Sequence, residues 1–362
     1  MSAKKILIMA GGTGGHVYPA LAVANEIRER SHEVVWLGTH RGLEARVVPA
    51  AGIDIEWISV SGLRGKGVLT LIAAPFRLLF ALLQSLRVVI RHRPAAVLGM
   101  GGFVSGPGGV AAWLLRRPLI VHEQNAVAGL TNRLLARLAR VVLQAFPGSF
   151  SASNHVLTTG NPVRRAIADV PPPDQRMRVD AARGRLLVIG GSLGARALNQ
   201  IVPAALALLP ETERPEVRHQ TGERTADEAR AAYADAGVDV ELETFIEDMA
   251  EAYSWADVIV CRAGALTVAE VAAVGLPAVF VPFPHAVDDH QTANAQSLAD
   301  SSGAIVLQEA ELNAERLADV LKDWFADREQ LLKRARQSRA EAKPDALARI
   351  TDICLDAAGV TA

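Results

Sequence analysis

Three glycine-rich segments each follow a short apolar run, at residues 11–15, 99–106 and 190–194. Glycine lets the backbone approach a ligand closely, and a helix that begins after such a segment directs unpaired N–H groups and a positive dipole end at an anion. Phosphate or diphosphate is the ligand that this chemistry favours. None of the three matches the dinucleotide pattern GxGxxG followed by an acidic residue about 20 positions later, or the ATPase pattern GxxxxGK[ST]. A single segment could merely close a strand-to-helix turn, whereas three together favour ligand contact.

A fourth segment, CRAGALTVAE at 261–270, places small side chains where a helix is expected to begin. Small side chains leave the backbone amides at the start of a helix uncovered. Glu270, about one turn into that helix, is a candidate acceptor for the vicinal hydroxyls of a sugar. Together with the glycine segments, this pattern favours a nucleoside diphosphate. The alternative for Glu270 is an ordinary first-turn acid that offsets the helix dipole.

The elements that position these segments follow a simple alternation. Short apolar runs bounded by glycine alternate with longer helical patterns in both halves, which predicts an α/β fold. Each half opens with a strand, a glycine-rich turn and a helix, so two doubly wound sheets are expected. The predicted strands cover residues 5–10, 33–37, 95–98, 118–122, 141–144, 185–189, 217–220, 257–261 and 278–281. The segment 161–183, with three consecutive prolines, is predicted to be a linker, which gives domains 1–160 and 161–362, with a C-terminal helix able to pack back on the first.

Composition narrows the class of protein. The 362 residues are enough for about two domains, and with 50% hydrophobic and 21% charged residues the chain is neither disordered nor a coiled coil. Cys261 and Cys354 have no metal-binding spacing and are too few for a disulfide framework, which favours a reducing cytoplasm. The apolar run at 6–10 is too short for the core of a signal peptide, so export is not expected.

Charge is distributed unevenly, although the net charge is only −1. Residues 1–160 carry 17 basic and 7 acidic side chains, a net charge of +10, and residues 161–362 carry 21 basic and 32 acidic side chains, a net charge of −11. Such an excess of positive charge in the first half favours an anionic partner, for example a membrane surface, a nucleic acid or a phosphorylated substrate, and the alternative is chance drift in surface charge. A basic run near the C-terminus is predicted to be a solvated helical face: Lys333, Arg334, Arg336 and Arg339.

The segment 68–90 has the length of a membrane span but not its composition. It contains Pro75, Arg77 and Arg87, and each central arginine costs about 2.5–3.5 kcal/mol on insertion scales. On a helical wheel, a narrow polar stripe is flanked by apolar side chains: Arg77, Gln84, Arg87 and Arg91, with Phe76, Phe80 and Leu83. This pattern predicts a helix that lies at an anionic membrane interface. The alternative is a helix buried against its own sheet with a thin solvated edge.

Six motifs, in order along nearly the whole chain, carry a resemblance to a known family. They are GGTGGH at 11–16, LGMGGFVSGP at 98–107, HEQN at 122–125, GNPVR at 160–164, GGSLGAR at 190–196 and RAGALTVAE at 262–270. These motifs closely resemble those of the MurG family of bacterial glycosyltransferases. The resemblance implies a GT-B fold, with two Rossmann-like domains separated by a cleft. It also implies transfer of N-acetylglucosamine from UDP-N-acetylglucosamine to lipid I, forming lipid II for peptidoglycan synthesis.

The resemblance assigns site residues by matching position. The donor is expected mainly on the second domain, where Ile246 would pair with uracil, Glu270 with the ribose and Arg164 with the nucleotide. Its diphosphate and sugar would meet Ser192 and the start of a helix: Ala265, Leu266 and Thr267, continuing through Val268 and Ala269. The N-acetylglucosamine would contact Asn125 and Gln291, the latter preceded by His290 where some members have glutamine. The acceptor is expected on the first domain, with the loop Thr13, Gly14 and Gly15 closing on the donor or acceptor diphosphate.

The implied reaction inverts the anomeric centre. The 4-hydroxyl of the N-acetylmuramyl sugar attacks the anomeric carbon and UDP leaves, which requires a base near the hydroxyl and positive potential behind the diphosphate. His16 is the candidate base, because it ends a glycine segment and the unperturbed pKa of imidazole, about 6.5, suits proton removal at neutral pH. Glu123 is the reserve candidate. The alternatives are structural, with His16 orienting the loop and Glu123 a partly buried carboxylate.

Neither a cofactor nor a metal ion is expected, because helix amides and hydroxyls can stabilise a departing diphosphate and no DxD-type pair lies beside a glycine segment. A surface loop explains the adjacent acids Asp288 and Asp289. The expected partners are UDP-N-acetylglucosamine, lipid I and an anionic membrane surface, and the expected location is the cytoplasmic face of the inner membrane, held peripherally. Nucleic acid is not expected, because the basic half lacks interleaved aromatics. The alternatives are a UDP-N-acetylglucosamine 2-epimerase and a non-catalytic nucleotide-sugar sensor.

Overall fold

The computed structural model of the chain describes residues 3–60, 68–177, 183–191 and 194–360, and the side chains of 68–73 and 287 lie outside that description. The chain forms two compact units. Unit 1 comprises Met1–Val163 and Asp345–Ala362, and unit 2 comprises Arg164–Pro344. The predicted boundary after residue 160 falls three residues before this division, and the chain returns to unit 1 at Asp345.

Unit 1 alternates strands and helices from its first residues. Its elements are β1 (Lys5–Met9), α1 (Gly14–Glu29), β2 (Glu33–Gly38), α2 (Glu44–Ala50), β3 (Asp54–Trp57), α3 (Val68–His92), β4 (Ala96–Gly99), α4 (Ser105–Leu114), β5 (Leu119–Glu123), α5 (Leu130–Leu135), β6 (Val141–Gln144) and β7 (Val156–Thr158). All seven strands are parallel, in the order β3-β2-β1-β4-β5-β6-β7. The strand order therefore reverses between β1 and β4, which is the switch point where doubly wound sheets bind ligands.

Unit 2 repeats this plan. Its elements are α6 (Arg165–Ala168), α7 (Pro173–Arg176), β8 (Arg185–Ile189), α8 (Arg196–Leu208), β9 (Glu216–Gln220), α9 (Ala226–Ala236), β10 (Glu241–Glu243), α10 (Met249–Trp255), β11 (Val258–Cys261), α11 (Ala265–Val274), β12 (Ala278–Phe280), α12 (His290–Ala299), β13 (Ala304–Val306), α13 (Ala314–Ala326) and α14 (Arg328–Ala340). The six parallel strands run β10-β9-β8-β11-β12-β13, with the switch point between β8 and β11. The predicted α/β fold with two doubly wound sheets is confirmed.

The central strands read as continuous apolar runs because both of their faces are covered. In β1, Ile6 and Ile8 pack into one core and Leu7 and Met9 into the core on the opposite face, as the two-residue period of a strand requires. The last helix, α15 (Ala346–Ala357), adds buried side chains, including Ile350, to the first of these cores. The C-terminal helix is thus part of the hydrophobic core of unit 1.

The segment predicted to be a linker is instead packed structure in its described part. Residues 164–177 belong to unit 2, where Ile167 and Met177 are buried. Pro173 opens the short helix α7, a position where its fixed φ is favourable and its missing N–H costs nothing. Arg176, in the same helix, donates hydrogen bonds to the carbonyls of Ala256 and Gly275. The proline run therefore begins a helix and does not mark a free connection.

The basic run on α14 was also only partly a solvated face. Arg334 donates to the carbonyl of Ser302 at 3.1 Å and lies over the ring of Trp324. Arg336 pairs with Asp174 on α7, and Arg339 donates to a carbonyl at the end of α11. These arginines hold α14 against the rest of unit 2.

Candidate functional site

The first two glycine segments lie beside each other because they follow β1 and β4, the neighbouring strands at the switch point of unit 1. Gly12, Gly101 and Gly102 have φ of +95°, +99° and +80°, values that other residues rarely adopt. A Cβ on Gly102 would lie 2.3 Å from the carbonyl oxygen of Gly11, and a Cβ on Gly101 would lie 2.3 Å from Cδ2 of His16. The two loops therefore touch through their backbones, and the imidazole of His16 rests against Gly101.

His16 lies in the first turn of α1. Its backbone N–H donates to the carbonyl of Thr13 at 3.1 Å, and its Nδ1 is 3.4 Å from the Thr13 hydroxyl, which is long for a hydrogen bond. No side chain caps this helix, whose first residues are Gly14 and Gly15. An uncapped start after a glycine turn is the arrangement that the predicted diphosphate contact requires.

Sequence reasoning missed Glu44, a fully buried carboxylate beneath the same loop. Its Oε2 accepts a hydrogen bond from the N–H of Gly12 at 2.9 Å, and its Oε1 accepts from the N–H and the hydroxyl of Thr39 at 3.1 and 2.7 Å. Glu44 thereby joins the loop after β1 to the loop after β2. The sequence offered one signal, an acidic residue that closely follows two glycines, Gly38 and Gly42. In the structure Gly42 is needed, because a Cβ at this position would overlap the Glu44 carboxylate.

Glu123, the reserve candidate base, accepts four hydrogen bonds from its own neighbourhood. One oxygen accepts from the N–H and the side-chain amide of Asn125 at 3.0 and 3.3 Å. The other accepts from the N–H of Gly129 at 3.0 Å and the side-chain amide of Asn132 at 2.9 Å. An ionised carboxylate has about four acceptor positions, so these four hydrogen bonds fill them. Glu123 thereby holds the loop that presents Asn125.

The histidine before Glu123 is also held by its surroundings. His122 Nε2 donates to the carbonyl of Gly160 at 3.0 Å, and its Nδ1 accepts from the side-chain amide of Gln124 at 3.1 Å. Burial lowers the pKa of His122 to about 4, so the ring is neutral at pH 7. Asn161 donates to the carbonyl of Gln124 at 3.0 Å. The HEQN and GNPVR motifs are therefore connected by hydrogen bonds at the end of β5.

In unit 2, the segment of small residues begins α11 as predicted from the sequence. Gly264 is the N-cap, and no side chain caps the helix. Ala263 is fixed by a hydrogen bond from the buried side chain of Asn294 to its carbonyl, at 3.2 Å. Around this turn Ala265 and Val268 are buried, whereas Leu266, Thr267 and Ala269 are partly exposed. Ser192, predicted to meet the same diphosphate, lies outside the described residues.

Glu270 lies in α11, and both of its carboxylate oxygens have partners. Oε1 accepts from the guanidinium of Arg164 at 3.2 Å, and Oε2 accepts from the hydroxyl of Tyr253 at 3.0 Å. Burial raises the pKa of the Glu270 carboxyl, and Arg164 and Tyr253 act in the opposite direction. Two predicted nucleotide contacts, Arg164 and Glu270, are therefore together, and Tyr253 is a third member that sequence reasoning missed.

A cavity of about 320 Å³ lies beside Arg164 in unit 2. The chain from Glu247 to Ala250 lines it, together with Ala166 and Ile167 of α6. Ile246, predicted to present its backbone to uracil, immediately precedes this lining and has a buried side chain. The cavity thus adjoins the predicted nucleotide contacts.

The loop before α12 carries the remaining predicted sugar contacts. Gln291 accepts a hydrogen bond from the N–H of Phe283 at 3.0 Å, which ties the start of α12 to the loop that follows β12. His290 is the first residue of α12, and the two residues before it, Asp288 and Asp289, both have left-handed φ, +54° and +49°. Backbone of this kind is strained and is often found at functional loops. In the described ranges, no group of three or more histidine, cysteine or acidic side chains is arranged to hold a metal ion.

A surface of apolar side chains covers three helices of unit 1. From residue 74 onward, α3 exposes Phe76, Phe80 and Leu83, and it packs on α4, which in turn packs on α5. The neighbouring helices contribute four more exposed side chains: Trp113, Leu114, Leu130 and Leu134. Of the predicted polar stripe, Arg77, Arg87 and Arg91 are exposed, and Arg91 also pairs with Glu56. Gln84 is half-buried and accepts a hydrogen bond from the N–H of Ser59. Among the helices that the structure describes, none is long and apolar enough to cross a bilayer.

Two family models match the chain. The glycosyltransferase family 28 N-terminal domain matches residues 6–144, and the glycosyltransferase family 28 C-terminal domain matches residues 185–350. Among curated relatives, the UDP-N-acetylglucosamine--N-acetylmuramyl-(pentapeptide) pyrophosphoryl-undecaprenol N-acetylglucosamine transferase of Alkalilimnicola ehrlichii is 60% identical, over 98% of this chain and 99% of the relative. The protein of the same name from Marinobacter nauticus is 53% identical, over 98% of both chains.

One of the solved structures is similar to this chain in both sequence and fold, and another is similar in fold alone. The crystal structure of MurG from Acinetobacter baumannii has a TM-score of 0.85 and 43% identity, covering 98% of this chain and 99% of that one. A UDP-N-acetylglucosamine 2-epimerase structure has a TM-score of 0.68 but only 13% identity, over 99% and 98% of the two chains. The epimerase likeness therefore extends to the fold alone.

Proposed function

The chain belongs to the MurG family of glycosyltransferases, and from that premise we propose that it transfers N-acetylglucosamine from UDP-N-acetylglucosamine to lipid I, forming lipid II. The observation that carries the proposal is the high identity to transferases named for this reaction over nearly the full length of both chains. The two glycosyltransferase family 28 domains support the same class of enzyme. The enzyme is thus an N-acetylglucosaminyltransferase of peptidoglycan synthesis.

The donor is assigned to unit 2. The uncapped start of α11 would face the diphosphate, because a helix start offers N–H donors and a positive dipole end to an anion. Glu270 would accept hydrogen bonds from the ribose, with Arg164 beside it and the cavity next to Ile246 taking the base. Positive potential at the diphosphate stabilises the charge that develops as UDP leaves.

The acceptor and the proton transfer are assigned to unit 1. His16 is the proposed base for the 4-hydroxyl of the acceptor sugar, since its ring is positioned by Thr13 and Gly101. The four hydrogen bonds to Glu123 favour a structural role for that carboxylate. Glu123 then acts by fixing the loop of Asn125, the proposed contact for N-acetylglucosamine.

One assay tests the reaction directly. Purified protein is incubated with labelled UDP-N-acetylglucosamine and a short-chain lipid I analogue, and the products are scored for a disaccharide and for UDP. A disaccharide that forms only with the acceptor supports the transferase. UDP release or epimerisation without acceptor would favour the epimerase, and binding without turnover would favour a sensor.

The anionic membrane is a proposed partner of the apolar surface on α3, α4 and α5. Exposed aromatic and leucine side chains beside Arg77 and Arg87 form the combination that inserts at a headgroup boundary. Anionic lipid adds about 1 kcal/mol for each nearby basic side chain. Attachment of this kind would hold the enzyme peripherally at the cytoplasmic face of the inner membrane, where the lipid acceptor is reached.

Vesicle sedimentation tests this attachment. The double variant Arg77→Glu and Phe80→Asp should lose most binding to phosphatidylglycerol vesicles, and wild-type binding should fall as salt is raised. Leu208→Asp is the matched control, because Leu208 is an exposed apolar residue of unit 2. Unchanged binding by the double variant would remove this surface as the membrane contact.

A further inference from the structure

Tyr253 is a buried tyrosine whose hydroxyl meets the carboxylate of Glu270. It lies in α10 and is 1% exposed, and its hydroxyl donates to Oε2 of Glu270 at 3.0 Å. A buried tyrosine hydroxyl requires a hydrogen-bond partner, and here the carboxylate provides it. The core of unit 2 thus extends a fixed donor to a residue at the proposed nucleotide site.

The other partner of this carboxylate is held less firmly. The Arg164 side chain is 47% exposed, and its ion pair with Glu270 is open to competition from water and salt. The last torsion of a glutamate is broad, so a carboxylate tied through one oxygen can rotate. Tyr253 is therefore the contact that fixes the orientation of Glu270.

The carboxylate still has acceptor capacity. Each ionised oxygen accepts about two hydrogen bonds, and Arg164 and Tyr253 occupy one position on each. The Glu270 side chain is 13% exposed, which leaves it accessible to a ligand. We propose that Tyr253 is a positioning residue that orients Glu270 toward both hydroxyls of the ribose, so that the site distinguishes a ribonucleotide from a 2′-deoxyribonucleotide. The inference rests on the proposed assignment of the donor to unit 2.

The chemistry of the site explains why the effect should appear as selectivity. A site built to accept a hydrogen bond from a hydroxyl rejects the analogue that lacks it, because a buried acceptor is left without a partner. That rejection depends on the direction of the carboxylate, whereas contacts to the base and the diphosphate do not. Loss of the Tyr253 hydroxyl should therefore weaken UDP binding more than 2′-deoxy-UDP binding, because the deoxynucleotide has only the 3′-hydroxyl to lose.

The test is titration calorimetry of the full chain with UDP and with 2′-deoxy-UDP. Wild-type protein should bind UDP about tenfold more tightly than 2′-deoxy-UDP, and Tyr253→Phe should reduce the preference to about threefold. Tyr233→Phe is the matched control, since Tyr233 is also buried in unit 2 and its hydroxyl bonds His219 at 2.8 Å. The control should keep the wild-type preference.

Equal weakening of both ligands in Tyr253→Phe would mean a merely structural role and would overturn the inference. A second variant, Glu270→Asp, keeps the negative charge and withdraws the carboxylate from the Tyr253 hydroxyl, so an unchanged preference in that variant would also contradict the proposal. A wild-type protein without any preference would overturn the inference and the ribose contact together. The transferase assignment is tested separately by disaccharide formation, so the two failures are distinguishable.

Discussion

Glu44 in unit 1 and Glu270 in unit 2 are both glutamates whose two carboxylate oxygens accept hydrogen bonds, but they have opposite surroundings. Glu44 is fully enclosed and accepts three hydrogen bonds from neutral groups of two loops. Glu270 remains partly exposed and accepts one hydrogen bond from a cation and one from a tyrosine. A carboxylate whose acceptor positions are filled by groups of its own loops fixes the conformation of those loops. A carboxylate with unoccupied acceptor positions can also accept hydrogen bonds from a ligand. Glu44 therefore connects two loops of unit 1, whereas Glu270 of unit 2 retains acceptor capacity.

The largest effect that this comparison predicts is on turnover. His16→Ala should lower kcat by about 10²–10⁴-fold, the range for loss of a general base, while the Kd for UDP stays near the wild-type value. UDP binding is preserved because its contacts are assigned to unit 2. Steady-state kinetics and calorimetry measure the two quantities, and His155→Ala, an exposed histidine of unit 1, is the control. Near-normal turnover would eliminate His16 as the base.

The next effect is on stability. Glu44→Gln places an amide N–H₂ against one of the donors that Glu44 now accepts from, and we expect the free energy of unfolding to fall by about 2–4 kcal/mol. Urea denaturation measures the change. Glu33→Gln is the control, because Glu33 makes a surface ion pair with Lys5 and should change stability by less than about 1 kcal/mol. Equal losses in the two variants would show that the buried contacts of Glu44 carry no special weight.

A buried neutral histidine in each unit gives a pH dependence of intermediate size. Burial lowers the pKa of His122 to about 4 and that of His219 to about 3. Below the ordinary value of about 6.5 the unfolded chain takes up the proton and the folded chain does not, so stability is lost as the pH falls from 6.5 toward these values. Each histidine should contribute about 2 kcal/mol of loss between pH 7 and pH 5.

Denaturation of His122→Gln and His219→Gln at the two pH values measures each contribution. Each variant should lack its share of the loss, and His155→Gln should retain the full wild-type dependence. A variant with undiminished dependence would show that its histidine is protonated in the fold.

The accuracy of the sequence-based predictions depends on the position of each element in its sheet. All nine predicted strands are present, with ends within one residue of their predicted positions. The four strands that were missed are β3, β7, β10 and β13, which are the edges of the two sheets. Edge strands are short and partly exposed, so they lack the continuous apolar run that identifies a central strand.

In the candidate site, features that depend on neighbouring residues were predicted, whereas contacts between residues far apart in the sequence were missed. Glycine segments and helix starts are encoded by neighbouring residues, and in the structure they follow the strands at the switch points of the two sheets. Glu44 and Tyr253 escaped notice because each has a partner far away along the chain, Gly12 at 32 positions from Glu44 and Glu270 at 17 positions from Tyr253. The residues next to a single glutamate or tyrosine do not indicate such a contact, because the contact forms only in the folded chain.

The smallest expected effect tests the open carboxylate of unit 2. Glu270→Gln should weaken UDP binding about tenfold, because hydrogen bonds to a charged acceptor are stronger than those to an amide. Unlike Glu44→Gln, it should leave the free energy of unfolding unchanged or slightly higher. Burial raises the pKa of Glu270, which means that the fold disfavours the ionised form of this carboxyl, and the amide removes that cost. The amide can also accept from Arg164 and donate to the Tyr253 hydroxyl, so no buried partner is orphaned. Calorimetry and urea denaturation on the same sample measure both quantities, and a destabilised variant with normal UDP affinity would place Glu270 in the same class as Glu44.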